Sequence, residues 1–169
     1  MSKKASLAAL FAASAMILPD IAAAADCLQS HAVYADRDGI YQLKFQPLNS
    51  DAAAANNQFK MTVKDSDAVL DGYVMPSEDP TRTIGMVMFH CPDGDATGAD
   101  LDACTIWQGP VYGVDAKGVI DNLPAEKANA VDSIVLPAIG PSLRDSTILG
   151  EGKQVAAPWD VFAFKECTK

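Results

Sequence analysis

Four cysteines, Cys27, Cys91, Cys104 and Cys167, constrain what this chain of 169 residues can fold into more than any other feature. How they are read depends on the residues before them. Lys3 and Lys4 are followed by an apolar run from Ala5 to Leu18, then by Pro19, Ile21 and the alanines Ala22 to Ala25. A positive end, an apolar stretch shorter than the roughly 20 residues of a membrane span, and small residues at Ala23 and Ala25 make up a secretory signal. The pattern predicts cleavage after Ala25, with Ala24 as the neighbouring choice. Residues 26–169 are then a single domain, periplasmic or secreted. The charged Asp26 ahead of Cys27 argues against lipid attachment at that cysteine.

In an oxidising compartment an even number of cysteines is read as disulfides. Of the three possible pairings, Cys91 with Cys104 closes a short loop and leaves Cys27 with Cys167 to tie the two ends of the domain together. There is no Cys-x-x-Cys spacing, the arrangement that depresses a thiol pKa for disulfide exchange. After Ala25 there is no further run of 18 apolar residues, so membrane insertion is not expected.

The formal charge is -9. Residues 1–25 contribute Lys3, Lys4 and Asp20, so the remainder is one unit more negative. Such a surface repels nucleic acid and anionic lipid, and it favours a cationic protein, metal ions or plain solubility.

Period-two alternation marks several strands. Ala32 to Ala35 and Ile40 to Phe45 flank Asp36, Arg37, Asp38 and Gly39 as a hairpin. Gln58 to Val63 puts Phe59, Met61 and Val63 inward and Lys60 and Thr62 outward. Further strands are expected at Ala68 to Met75 and Thr83 to Cys91, separated by a proline-containing stretch from Pro76 to Thr81. Shorter ones are expected at Thr105 to Trp107 and Val111 to Val114, with Val119 and Ile120 closing a hairpin, and a last one from Trp159 to Cys167. Between them Ala125, Ala128, Val131, Ile134 and Val135 recur at helical spacing after Pro124, and Pro141 with Leu143 and Ile148 suggests a second short helical piece. The fold class is therefore α+β, mainly antiparallel β as a small sandwich or curved sheet, with a helical segment near 124–149 and two disulfides.

Two groups of residues could hold a metal. Asp93, Asp95 and Thr97 stand at positions 1, 3 and 5 of a loop with Gly98 at position 6, which resembles the opening of an EF-hand calcium loop. The resemblance implies calcium held by these oxygens together with Asp100 or Asp102. In the preceding strand, Met86, Met88 and His90 alternate at i, i+2 and i+4, which places them on one face. Two thioethers and an imidazole form a soft ligand set that selects Cu(I). Met61, Met75 and His31 are possible additions from neighbouring strands. The opposing reading makes Met86 and Met88 core residues, because Gly85, Val87 and Phe89 leave the other face apolar too.

Nucleophilic catalysis has no motif. Gly-x-Ser-x-Gly is absent, no free thiol is expected, and only His31 and His90 could act as an imidazole base. Trp107 and Trp159 are expected in the core, where either could pack on a disulfide. The leading expectation is an exported, soluble, non-enzymatic module that binds a protein partner or ligand and needs no cofactor. A periplasmic copper or calcium protein is the alternative. A hydrolase without a recognisable motif is the third reading, and it requires a concave pocket holding His31 or His90 near a carboxylate.

Overall fold

The computed structural model describes residues 24–48, 54–92, 94, 97–146, 148 and 156–168, and the predicted signal segment up to residue 23 lies outside them. Ten strands form one antiparallel sheet. They are β1 (Ala32–Asp36), β2 (Tyr41–Gln46), β3 (Asn57–Val63), β4 (Val69–Glu78), β5 (Thr81–Met88), β6 (Thr105–Pro110), β7 (Tyr112–Val114), β8 (Ile120–Asn122), β9 (Ser133–Val135) and β10 (Val161–Cys167). Two short helices accompany them, α1 (Gly98–Cys104) and α2 (Ile139–Asp145). The order across the sheet is β6-β5-β4-β3-β2-β1-β10-β9-β7-β8, and the sheet curls into a half-barrel. Both expected disulfides are formed. Cys27 and Cys167 have Cα atoms 5.8 Å apart, and Cys91 and Cys104 5.2 Å, within the span that a disulfide bridges.

Alternation builds the core. Tyr41, Leu43 and Phe45 of β2 and Phe59, Met61 and Val63 of β3 point inward and are buried, as their spacing predicts. Tyr34 meets Phe45 and Phe164 edge-on there and donates its hydroxyl to Gln29 Oε1 at 2.9 Å. Burial pushes the Tyr34 phenol well above its ordinary pKa.

The two ends of the curled sheet approach each other around Thr83. β6 runs through Val111 directly into β7, and the Val111 N–H donates to the Thr83 carbonyl at 2.9 Å. The Thr83 N–H donates to Asn122 Oδ1 at 3.0 Å, and its buried hydroxyl donates to the Val111 carbonyl while accepting from the Leu123 N–H. One side chain thus ties β5 to the segments beyond β6 and β8. Trp107 is buried beneath this junction and donates its indole N–H to the Pro137 carbonyl at 2.9 Å, which anchors the approach to α2.

Three expectations change. Pro76 lies inside β4, paired with Thr83, so β4 runs on to Glu78, while β5 begins earlier than expected, at Thr81, and ends at Met88 short of Cys91. The ladder between β3 and β4 ends at Val74, so the side of β4 on which Pro76 lacks an N–H has no partner strand there. The helical spacing from Ala125 to Val135 does not make a helix. Residues 126–130 lie against residues 27–30, with Gln29 N–H donating to Ala128, Ser30 N–H to Glu126 and Ala130 N–H to Cys27. Those long-range bonds use the Glu126 and Ala128 carbonyls and the Ala130 N–H that a helix would need, and Ser133–Val135 becomes β9; the helical piece near Pro141 is α2. The third change is α1, which occupies part of the expected acidic loop. Among the described residues no helix is long and apolar enough to cross a membrane.

Candidate functional site

A groove of about 620 Å³ lies where the β1–β2 turn meets the start of β10, lined by Arg37, Pro158, Trp159, Asp160, Val161 and Ala163. Strand register makes it. Asp36 pairs with Phe162, so Arg37 in the turn that follows lies beside the residues that precede Phe162. Directly opposed residues share a face, and on the outer face Ala163 is flanked by Ala35 on β1 and Ser133 on β9. Of this row, Ala163 lines the groove. Val161 is flanked by Val135, which in turn opposes Tyr112, so an apolar row runs beside it.

Trp159 stands at the mouth of the groove and is 53% exposed, which corrects its expected place in the core. The Arg37 guanidinium lies 4.1 Å from the centre of its ring, within cation–π range. Arg37 also grips Asp38 through Nε at 3.1 Å and Nη2 at 3.3 Å. That pairing holds the Asp38 carboxyl below its ordinary pKa. The sequence signal for this site is the pair of acidic and basic residues in the hairpin turn, whose proximity to Trp159 only the β1–β10 register reveals.

The predicted soft-metal residues lie elsewhere. Gly85 and Val87 of β5 face the core, while Met86 and Met88 are half-buried on the outer face. Their expected alternative as core residues is thereby corrected; among the described residues, Met61 is the methionine that is fully buried. His90 lies beyond the end of β5 with φ of 54°, stacked on Phe89 with ring centres 3.8 Å apart. Met88 and His90 line one cleft of about 490 Å³ with Lys60, Asp71, Tyr73 and Cys91 among its walls. Lys60 pairs with Asp71. His90 therefore has a carboxylate in the same cleft, as the hydrolase reading required, but its lining residues include no serine, threonine or free thiol. His31 sits apart from it, its carbonyl accepting from the N–H and hydroxyl of Thr168.

Of the predicted calcium ligands, Asp93 and Asp95 lie outside the described residues. Thr97 and Asp100 make a capping box at the start of α1. Asp100 Oδ2 accepts from the Thr97 N–H at 2.9 Å and from its hydroxyl at 2.7 Å, and the Asp100 N–H donates back to the Thr97 hydroxyl. These bonds hold the Asp100 carboxyl below its ordinary pKa. Asp102 is exposed on the same helix. Among the described residues, no three His, Cys, Asp or Glu side chains are grouped so that they could hold a metal ion. Against known protein families, curated proteins and solved structures, the chain matches none.

Proposed function

We propose that the chain is an exported, non-enzymatic binding module, and that the groove beside Trp159 receives an apolar side chain of a cationic protein segment. One observation carries this reading. A tryptophan that is 53% exposed is held by the Arg37 guanidinium over its ring, and that guanidinium is itself fixed by two hydrogen bonds to Asp38. An exposed indole is costly to leave in water, and fixing it in advance lowers the entropy lost on binding. Tryptophan is also among the residues that dominate binding energy at interfaces. Ala163, a small residue, lines the groove beside Val161, and the volume is that of an ordinary ligand pocket.

Charge supports the choice of partner. Arg37 is neutralised by Asp38, which leaves Asp160 as the charge in the lining without a salt bridge among the described residues, on a chain whose formal charge is -9. A basic segment would be steered toward such a surface. Export is supported by the signal-like start of the sequence and by two disulfides, which persist in oxidising compartments.

Selection of random peptides displayed on phage against the disulfide-bonded protein tests this reading. Enriched peptides should carry an aromatic or aliphatic residue flanked by Lys or Arg. Their affinity should fall about tenfold or more on Trp159→Ala, as for an interface hot spot. Equal enrichment on the Trp159→Ala protein, or enrichment of acidic peptides, would overturn it.

A further inference from the structure

We infer that the outer face of β5 binds a single Cu(I) ion through the thioethers of Met86 and Met88 and the imidazole of His90. The site is separate from the Trp159 groove and does not depend on it.

Placement is the first argument. Met86 and Met88 are two residues apart on one strand and both emerge, half-buried, on the side of the sheet away from the core. The ladder between β5 and β6 shifts register between Val87 and Met88. Such an irregularity locally bends a strand and re-aims its side chains. His90 is no longer bound by strand alternation. Its backbone is left-handed, a conformation in which histidine is enriched among non-glycine residues, and its ring borders the same cleft as Met88. Stacking on Phe89, with 21° between the ring planes, limits how that imidazole turns.

Chemistry is the second. Thioether sulfur is a soft donor and, with one imidazole, suits Cu(I) better than Zn(II) or Ca(II). The carboxylate and the cysteine of the cleft are already committed. Asp71, directly across from Met88, is paired with Lys60, and Cys91 is in a disulfide with Cys104. Of the additions the sequence suggested, Met61 is sealed in the core on the opposite face, His31 lies near the C-terminal end of β10, and Met75, half-buried on the outer face of β4, sits opposite Ile84, farther along the sheet from His90 than Met86. Met86, Met88 and His90 are the donors nearest one another along the chain, and flexible thioether side chains on the outer face can converge without disturbing the core.

The test is a competition for Cu(I) with bicinchoninate under anaerobic conditions, using the oxidised protein. Ag(I) serves as the redox-inert probe for methyl NMR of the methionines. The wild-type protein should take one Cu(I) from the chelator, and Ag(I) should shift the Met86 and Met88 methyl signals while that of Met61 stays in place. Met86→Leu, Met88→Leu and His90→Gln should each weaken binding by roughly tenfold or more, the order seen even when a group that only supports a metal ligand is removed. Retention of wild-type affinity in any of the three variants overturns the three-ligand assignment. Failure to withdraw Cu(I) from bicinchoninate, or tighter binding of Zn(II), overturns the site altogether.

Discussion

Phe59 lies across Gly72 on the inner face of the sheet, its ring filling the space that a side chain on residue 72 would need. Phe45, the partner of Phe59 on β2, stands 5.2 Å from it ring to ring, so the displaced ring has little room to retreat. Gly72→Ala should therefore destabilise the protein by about 1–3 kcal/mol, the usual cost of overpacking. Urea denaturation measures this, and adding Phe59→Leu should recover part of the loss. A change within about 0.5 kcal/mol, ordinary for a surface position, would show that the ring does not need the glycine.

The two disulfides should contribute unequally. Cys27 and Cys167 are 140 residues apart in sequence and Cys91 and Cys104 only 13. A longer closed loop restricts the unfolded chain more, which predicts about 5 kcal/mol for the first bridge and about 3 kcal/mol for the second at the upper end. The first also secures β10, whose partner β1 begins five residues after Cys27. Replacing each pair with alanines and comparing denaturation midpoints should give the larger loss for Cys27 and Cys167; the reverse order would mean that the short bridge holds native structure that the long one does not.

The near-closure of the sheet should depend on one hydroxyl. Thr83→Val keeps the shape but leaves the buried Val111 carbonyl and Leu123 N–H without that partner. Each unsatisfied group costs about 1–3 kcal/mol. Thr83→Ser retains the hydroxyl and should lose much less. Hydrogen exchange should localise the effect, with faster exchange at Val111 and Leu123 in the valine variant only.

How much of this was legible in the sequence follows from which forces act locally. The strands were, because burial on one face of a pleated ribbon writes itself as alternation, as in Tyr41, Leu43 and Phe45. The Ala125 to Val135 segment was not, since its backbone partners are residues 27–30, about a hundred positions away. Helix α1 carried a local signal that the aspartate-rich context masked: Thr97-x-x-Asp100 is a capping pattern. For the candidate sites, identity was legible and placement was not. Met86, Met88 and His90 stand out by composition and spacing, yet only the sheet decides which side of β5 faces water. Trp159 gave no sign of exposure, because an aromatic next to Val161 and Phe162 reads as core until the β1–β10 register brings Arg37 over it.

Acid should loosen the periphery before the barrel. Thr97 hydrogen bonds hold the Asp100 carboxyl below its ordinary value of 3.8, and the Val119 and Lys117 N–H groups do the same for Asp115 in the turn between β7 and β8. Because the folded pKa of each lies below the unfolded one, the stabilisation is fully present above the unfolded value. It is lost as pH falls through the folded value, and nothing changes on the alkaline side. Both groups are exposed, so the effect is small and weakened by salt. Amide exchange followed from about pH 5 to about pH 2 should show α1 and the β7–β8 turn losing protection relative to the core strands, after correction for intrinsic exchange. Asp100→Asn and Asp115→Asn remove the titrating carboxyls and should each flatten the dependence in their own segment alone. Unchanged acid sensitivity of α1 in Asp100→Asn would mean that its stability rests on the Cys91–Cys104 bridge and not on the capping box.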